Sequence, residues 1–304
     1  ELPQAQRAGG LELAEQGLQK ALERAGHGVM RYACLRQIDL EHNPPDLVHF
    51  HGLWSPAHAR TSRLLKSKKI PSVVSPHGML EAWAWHHKRW KKWPYFYLVE
   101  RYHLKRAKAL LSTGVLESEQ LAKRAPRANV VELPLGIPKP PAVFRKEARR
   151  ELQVNDHEQV LLYISRIHPK KGLDMLLLAL KKMADSGQLP SVLRLIVVGD
   201  GPPEYVSRCK YLATSLRSHM RIDWIGPVWS DAKWSYFTAA DLTCLPTHSE
   251  NFGYVVPESW SVGTPVLTTT MTPWRDYNNR AGAWIAEPTV DSIQETLRAW
   301  LAQP

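Results

Sequence analysis

Two glutamates eight positions apart stand in Ser249-Glu250-Asn251-Phe252-Gly253-Tyr254-Val255-Val256-Pro257-Glu258. Directly before them runs an apolar segment, Asp241-Leu242-Thr243-Cys244-Leu245-Pro246; after them a stretch Pro257–Val262 is closed by Gly263-Thr264-Pro265. The pattern predicts a buried strand, a loop, and a helix whose first turn carries Glu258. Unpaired N–H groups and the positive dipole end at such a helix start suit an anion. Carboxylates beside them suit hydroxyl-rich ligands, because a carboxylate accepts strong hydrogen bonds from sugar and ribose hydroxyls. A plainer account competes: both glutamates serve only the N-cap region of one helix, where acidic residues are common.

The neighbouring residues favour the chemical account. Glu250-Asn-Phe-Gly-(x4)-Glu258, followed by Trp-Ser-Val-Gly-Thr-Pro-Val, resembles the E-x7-E signature of retaining family 4 glycosyltransferases. Ser165-Arg166-Ile167-His168-Pro169-Lys170-Lys171-Gly172 is similar to that family's G-R-x-x-x-x-K-G segment, with Ser165 where the family has glycine. Val198-Gly199-Asp200-Gly201-Pro202 is similar to its G-x-G-P strand-end turn. The three stand in the family's order between Leu161 and Val266.

The resemblance implies transfer of a sugar from a nucleoside diphosphate sugar, UDP- or GDP-linked, to an acceptor hydroxyl with retention at the anomeric carbon. It makes Glu250, Arg166, Lys171 and His77 the catalytic candidates. Charge develops on the departing diphosphate, where Arg166 can fork two hydrogen bonds to phosphate oxygens and Lys171 adds a point charge. Asn251, Phe252 and Gly253 would contribute backbone N–H groups, Glu250 would hold donor-sugar hydroxyls and Glu258 the ribose. Gly201 belongs with the donor residues, as do Gly9 and Gly10, which resemble the family's glycine pair under the donor diphosphate. His77, followed by Gly78, resembles the family's N-domain histidine facing the reacting sugar; His51 is assigned to the same acceptor side. No D-x-D motif and no His/Asp/Glu group of metal spacing occurs, so the expectation is no metal and no cofactor beyond the donor.

The elements that must position these residues read as alternating strands and helices. A helix is expected over Leu11–Arg24. Strands are expected at Asp46–His51, Ser72–Ser75, Ala109–Thr113 and Val130–Leu133, and then at Val160–Ser165, Arg194–Val198, Ile222–Ile225, Leu242–Leu245 and Val266–Thr269. Helices are expected between them at Leu173–Ala184, Tyr205–Leu216, Asp231–Ala239 and Pro257–Val262. Such alternation gives parallel sheets with ligands at the strands' carboxyl ends. The proline-rich Pro134–Pro141 reads as an interdomain linker. The resulting fold class is α/β of the GT-B type, two Rossmann-like domains with parallel sheets facing an interdomain cleft. Residues 1–138 are expected to bind the acceptor and 139–304 the nucleotide sugar.

A chain of 304 residues that is 44% hydrophobic and 23% charged is expected to hold two globular domains. No apolar run approaches the ~20 residues that span a bilayer. Cys34, Cys209 and Cys244 are scattered, odd in number and read as small buried hydrophobes, consistent with a reducing cytoplasm. The net charge of +11 is uneven: residues 1–139 hold 22 Lys/Arg against 12 Asp/Glu, residues 140–304 hold 18 against 17. Between Trp83 and Lys108 stand Lys88, Arg89, Lys91, Lys92, Arg101, Lys105, Arg106 and Lys108 against Glu100 alone, interleaved with Trp83, Trp85, Trp90, Trp93, Tyr95, Phe96, Tyr97 and Tyr102. Cations for headgroups and rings for the interface suit an anionic membrane. The expected setting is therefore the inner face of the cytoplasmic membrane, with a lipid-linked saccharide as acceptor. Nucleic acid could use the same residues on phosphates and bases, and a helix with a solvated basic face is a structural account. Beside the sugar-transfer motifs, membrane is preferred and no nucleic-acid partner is expected.

Three other classes fit parts of the sequence: a nucleotide-sugar epimerase on the same fold, a catalytically idle binding subunit, and a basic nucleic-acid-binding protein. The chain also departs from the family. Residues 1–8 are too polar for a buried strand leading into the glycine pair, and the stretch between Gly28 and Asp46 is short. The chain stops at Leu301-Ala302-Gln303-Pro304, before the long helix that in the family crosses back to the first domain. These features suggest a trimmed version of a longer protein.

Overall fold

A computed structural model describes residues 10–32, 39–86, 89–278, 280 and 282–303. The chain forms two compact units, divided between Gly136 and Ile137 within the proline-rich segment. The first unit runs α1 (Gly10–Arg24), β1 (Val48–His51), α2 (Pro56–Ser67), β2 (Ser72–Ser75), α3 (Ala82–His86), α4 (Arg89–Tyr95), a π-helical turn (Phe96–Glu100), α5 (Arg101–Arg106), β3 (Ala109–Ser112), α6 (Val115–Arg124) and β4 (Val130–Glu132). Its sheet is parallel throughout, in the order β1-β2-β3-β4. Val48 lies opposite Ser72 and His51 opposite Ser75, so the two strands end level and their loops leave from one edge. α2 starts where it does because Ser55 accepts a hydrogen bond from His58 N–H and Pro56 opens the first turn, needing no N–H there. Phe50, Leu65, Val74, Leu80, Trp85, Phe96, Leu104, Leu110 and Leu121 form the core.

The second unit contains α7 (Arg145–Glu151), β5 (Gln159–Ile164), α8 (Leu173–Asp185), β6 (Leu193–Val198), α9 (Pro203–Thr214), β7 (Arg221–Gly226), α10 (Lys233–Ala239), β8 (Leu242–Leu245), α11 (Val255–Ser261), β9 (Val266–Thr269), β10 (Ala283–Ala286) and α12 (Val290–Leu301). The sheet is parallel in the order β10-β9-β8-β5-β6-β7. Alternation along its central strands feeds two cores. Leu161 and Tyr163 of β5 with Leu195 and Val197 of β6 pack under α8, α9 and α12. Val160, Leu162, Ile196 and Val198 pack on the other face against Trp234 and Phe237 of α10. Burial on both faces is why these strands read as continuous apolar runs rather than as alternating ones. The strand order reverses between β5 and β8, and in open parallel sheets the carboxyl ends at such a reversal are where ligands bind.

Several expected boundaries shift for local reasons. α11 begins at Val255, two residues before the expected Pro257, which sits in the first turn where a missing N–H is tolerated. The expected helix from Asp231 divides into a 3-10 turn, Ser230–Ala232, and α10. β10 and α12 continue the alternation beyond Thr269. Thr289 caps α12 by accepting from Ser292 N–H, and Ile293 and Leu297 bury its inner stripe in the second unit's core. Residues 1–8, Gly9 and Cys34 lie outside the described residues; Cys209 and Cys244 are buried free thiols. Among the described residues no helix is long and apolar enough to cross a membrane.

Candidate active site

At the carboxyl ends of β5, β6 and β8 the backbones approach more closely than side chains permit. A Cβ on Gly201 would lie 1.8 Å from the Ile167 carbonyl oxygen, and one on Gly199 would lie 1.9 Å from that of Ser165. The β6 loop therefore lies directly on the β5 loop, also joined to it by Ile167 N–H donating to Asp200 O at 2.8 Å. Gly172, at φ +70°, meets Pro246 O in the same way, 1.9 Å from a hypothetical Cβ, which fixes the turn before α8 against the end of β8. The Thr247 hydroxyl and His248 N–H both donate to Lys170 O, at 2.9 and 2.8 Å. Backbone contacts thus place the Arg166–Lys171 loop beside the Glu250 loop.

The side chains complete the junction. Lys171 Nζ donates to Glu250 Oε2, and both are nearly buried, 13% and 12% exposed. Arg166 remains exposed at the end of β5, its carbonyl accepting from the buried Tyr163 hydroxyl at 3.1 Å. Beyond Glu250, whose N–H donates to Met271 O at 3.0 Å, the chain turns through Asn251, Phe252 and Gly253 into α11. Trp274 Nε1 donates to Phe252 O at 2.5 Å; Phe252 and Trp260 meet the Trp274 ring edge to face, and Tyr277 packs at a tilt against Trp260 and Trp274. Glu258, only 5% exposed, accepts from Lys233 Nζ at 2.6 Å. Burial raises its carboxyl above the ordinary range, and the Lys233 charge opposes that shift. Arg166, Lys171, Gly201, Glu250, Asn251, Phe252, Gly253 and Glu258 therefore lie along one edge of the second unit's sheet. Two positive and two negative groups with polar loop backbone can meet a ligand carrying both phosphate and hydroxyls.

The acceptor-side candidates gather in the first unit. His51 Nδ1 and His77 Nε2 are 2.9 Å apart and their rings stack at 16°. One nitrogen must carry a proton and the other a lone pair, so the two rings cannot both be charged while this bond stands. Burial lowers the His77 pKa to about 4, with the His51 charge contributing, and burial lowers His51 as well. His49 extends the row, 4.0 Å from the His51 ring and 2.8 Å from the Ser75 hydroxyl. Gly78 N–H donates to the buried Glu117 at 2.6 Å. Gly10 is the exposed first residue of α1.

Sequence reasoning passed over Lys233, Trp274 and Glu117. Each acts across a gap of more than twenty residues with no spacing of its own, and only Glu117 carries a local signal, as an acidic residue in a first helical turn.

The fold is shared with solved structures of low sequence identity. WaaG, a glycosyltransferase involved in lipopolysaccharide biosynthesis, matches with TM-score 0.67 at 19% identity, over 97% of this chain and 88% of that one. The Anabaena protein HepE in complex with UDP-glucose matches with TM-score 0.66 at 18% identity, over 84% of this chain and 69% of that one. The two parallel-sheet α/β units are thus those of the GT-B fold class. A model of glycosyl transferases group 1 matches residues 144–304, and one of a glycosyl transferase 4-like domain matches residues 11–136. The chain belongs to the glycosyl transferases group 1 family. A D-inositol 3-phosphate glycosyltransferase of Segniliparus rotundus is 37% identical over 122 residues, 40% of this chain and 26% of that protein's length.

Proposed function

We propose that this protein is a retaining glycosyltransferase of the family 4 type, moving a sugar from a UDP- or GDP-sugar to an acceptor hydroxyl without a divalent metal. The observation that carries the reading is the Lys171–Glu250 pair, nearly buried and flanked by exposed Arg166, at the strand ends of a chain in the glycosyl transferases group 1 family. A diphosphate entering there meets Lys171, which has three N–H donors and can serve phosphate and Glu250 together. Arg166 offers a bidentate fork to the same group. As the bond to the sugar breaks, negative charge builds on the diphosphate, and these cations are already in place to receive it. Glu250 is then free to accept donor-sugar hydroxyls. Glu258, one oxygen of which is held by Lys233, turns the other to ribose. A nucleotide-sugar donor is supported by the UDP-glucose seen in the HepE neighbour. The lipopolysaccharide role of WaaG supports a place in bacterial surface polysaccharide or glycolipid assembly. The test is a thermal-shift panel of UDP-, GDP- and ADP-sugars, then transfer assays with the product anomer read by NMR. One donor should raise the melting temperature, as any ligand of the native state does, and transfer should survive excess EDTA. Free sugar isomers formed without acceptor would favour the epimerase reading. Abolition by EDTA with recovery on Mg²⁺ would overturn the metal-free reading.

The proposed acceptor is a lipid-linked saccharide, met at the inner face of the cytoplasmic membrane through the basic aromatic stretch. Trp85, Phe96 and Glu100 of that stretch belong to the core, and Lys88 lies outside the described residues. The exposed rings are Trp83, Trp90, Trp93, Tyr97 and Tyr102, with Leu98 at 74% exposure. Arg89 lies 5.4 Å over Trp93, Lys91 lies 4.8 Å over Trp90, and Arg101 and Lys105 flank Tyr102. Each cation near an anionic surface contributes about 1 kcal/mol. Lys92 is a poor probe because its ammonium donates to Ala84 O within the unit. Arg89, Lys91, Arg101 and Lys105 changed together to Ser should abolish salt-sensitive pelleting with anionic liposomes. Unchanged pelleting, or equal pelleting on neutral liposomes, would remove the membrane from the proposal.

A further inference from the structure

Two buried carboxylates fix the loops that bear the first unit's histidines. Glu117, in the first turn of α6 and 2% exposed, accepts Gly78 N–H on Oε1 at 2.6 Å. Its Oε2 accepts the N–H and hydroxyl of Thr113, at 2.8 and 3.0 Å. Glu100, the last residue of the π-helical turn, accepts Trp54 N–H on Oε2 at 3.0 Å, and no hydrogen-bond partner of its Oε1 is found among the described residues. Both loops hold unfavourable backbone: His77 stands at φ +52° and Trp54 at φ +67°, where a Cβ crowds the chain. Such conformations persist when the surroundings over-determine them. Gly78 N–H belongs to the peptide unit joining His77 to Gly78, so fixing that N–H fixes the plane from which the His77 side chain departs.

We propose that Glu117 is the positioning residue for His77, locking its ring in one orientation and tautomer against His51 for the acceptor side of the transfer. The inference rests on the function proposed above. Glu117 answers three donors arriving on two oxygens, which only a carboxylate can do. An amide has one acceptor oxygen and would turn its own N–H₂ toward Gly78 or Thr113. Glu100 answers one donor, which an amide oxygen can also accept. The two glutamates therefore differ in what a conservative replacement does.

The experiment compares Glu117→Gln, Glu100→Gln and the milder Thr113→Val, which deletes one donor to Glu117, in the full chain. It reads ¹⁵N-labelled histidine ring correlations alongside transfer kinetics. In Glu117→Gln the His51 and His77 ring signals should lose their single tautomer, kcat should fall tenfold or more, and the donor KM should stay within twofold. Thr113→Val should shift the same ring signals with a few-fold loss of kcat. Glu100→Gln should leave the rings and kcat within twofold. Unchanged His77 ring signals in both Glu117→Gln and Thr113→Val would overturn the proposal, whatever their melting temperatures. Should the wild type transfer no sugar at all, the function proposed above fails, while the ring spectra still decide whether Glu117 sets His77.

Discussion

Lys171 and Glu250 neutralise each other in a nearly closed loop, so neither charge is left uncompensated before a ligand arrives. A diphosphate would take over part of the Lys171 bonding, which makes this lysine the group whose loss is felt most in the transition state. Lys171→Ala should lower turnover by roughly 10²–10³-fold, the size associated with one preorganised electrostatic contact; steady-state assays check it, and wild-type-like turnover would refute the assignment. Lys233 plays a different part. Removing it leaves the buried Glu258 carboxylate without its cation, at a cost of about 2 kcal/mol, below the ~3–5 kcal/mol of fully buried pairs because Lys233 is partly exposed. Urea unfolding of Lys233→Ala measures it, and an unchanged midpoint would show that water already compensates Glu258. The spacing of Glu250 and Glu258 and the Arg166–Lys171 loop stand openly in the sequence, since each lies within one short segment. The cation of Glu258 does not, because it arrives from α10 through tertiary packing.

Among the elements, the strands of both sheets were largely legible, Ser72–Ser75, Leu242–Leu245 and Val266–Thr269 to the residue. They are short apolar runs bounded by proline, glycine or polar residues. α2 was passed over although Ser55-Pro56 is an N-terminal signal, because its apolar residues are sparse between charges; α12 was passed over although Thr289 and the stripe Ile293, Leu297 and Leu301 mark it. Loop registration was hidden altogether: nothing local in Gly199-Asp200-Gly201 tells that it lies on the Ile167 carbonyl. That contact separates two kinds of glycine. Gly201→Ala places a methyl 1.8 Å from a backbone oxygen and should destabilise the second unit by more than about 3 kcal/mol, since strand-end backbone must move. Gly17→Ala, mid-helix in α1 with open space around it, should instead gain about 0.5–1 kcal/mol. Chemical denaturation of both variants tests the contrast; a harmless Gly201→Ala would mean that the loops do not touch.

At the scale of the whole molecule, each unit has its own core, and heat or denaturant need not unfold them together. Burial lowers the pKa of His49 to about 3 and of His77 and His103 to about 4, against 6.5 when unfolded. These groups bind fewer protons in the native state, so the stability they contribute is full above pH 6.5 and is lost as pH falls toward 4. Glu100, raised to about 7 by burial, has the opposite sign and favours the native state as pH falls from 7 toward its unfolded 4.5. The three histidines outweigh the one glutamate, so acidification leaves a net loss of stability and a lower melting temperature. Calorimetry between pH 7 and 4.5 should show the first unit's transition descending; a transition that stays put would mean the histidines are solvated. The uneven charge of the two halves was plain in composition, but these protonation states were not, since they depend on which histidines the sheet encloses.

The strand orders also carry a timetable for synthesis. In the first unit each strand among the described residues pairs with the next one made, so this sheet can assemble as the chain emerges from the ribosome. In the second, β5 lies between β6 and β8, and one side of this central strand stays bare until the chain from Ile164 to Leu242 has been made. At about 5–20 residues per second that is an exposure of several seconds. During it the apolar edge of Val160 to Ile164 is open to wrong partners, so nascent chains of this half are the ones a chaperone would be expected to hold.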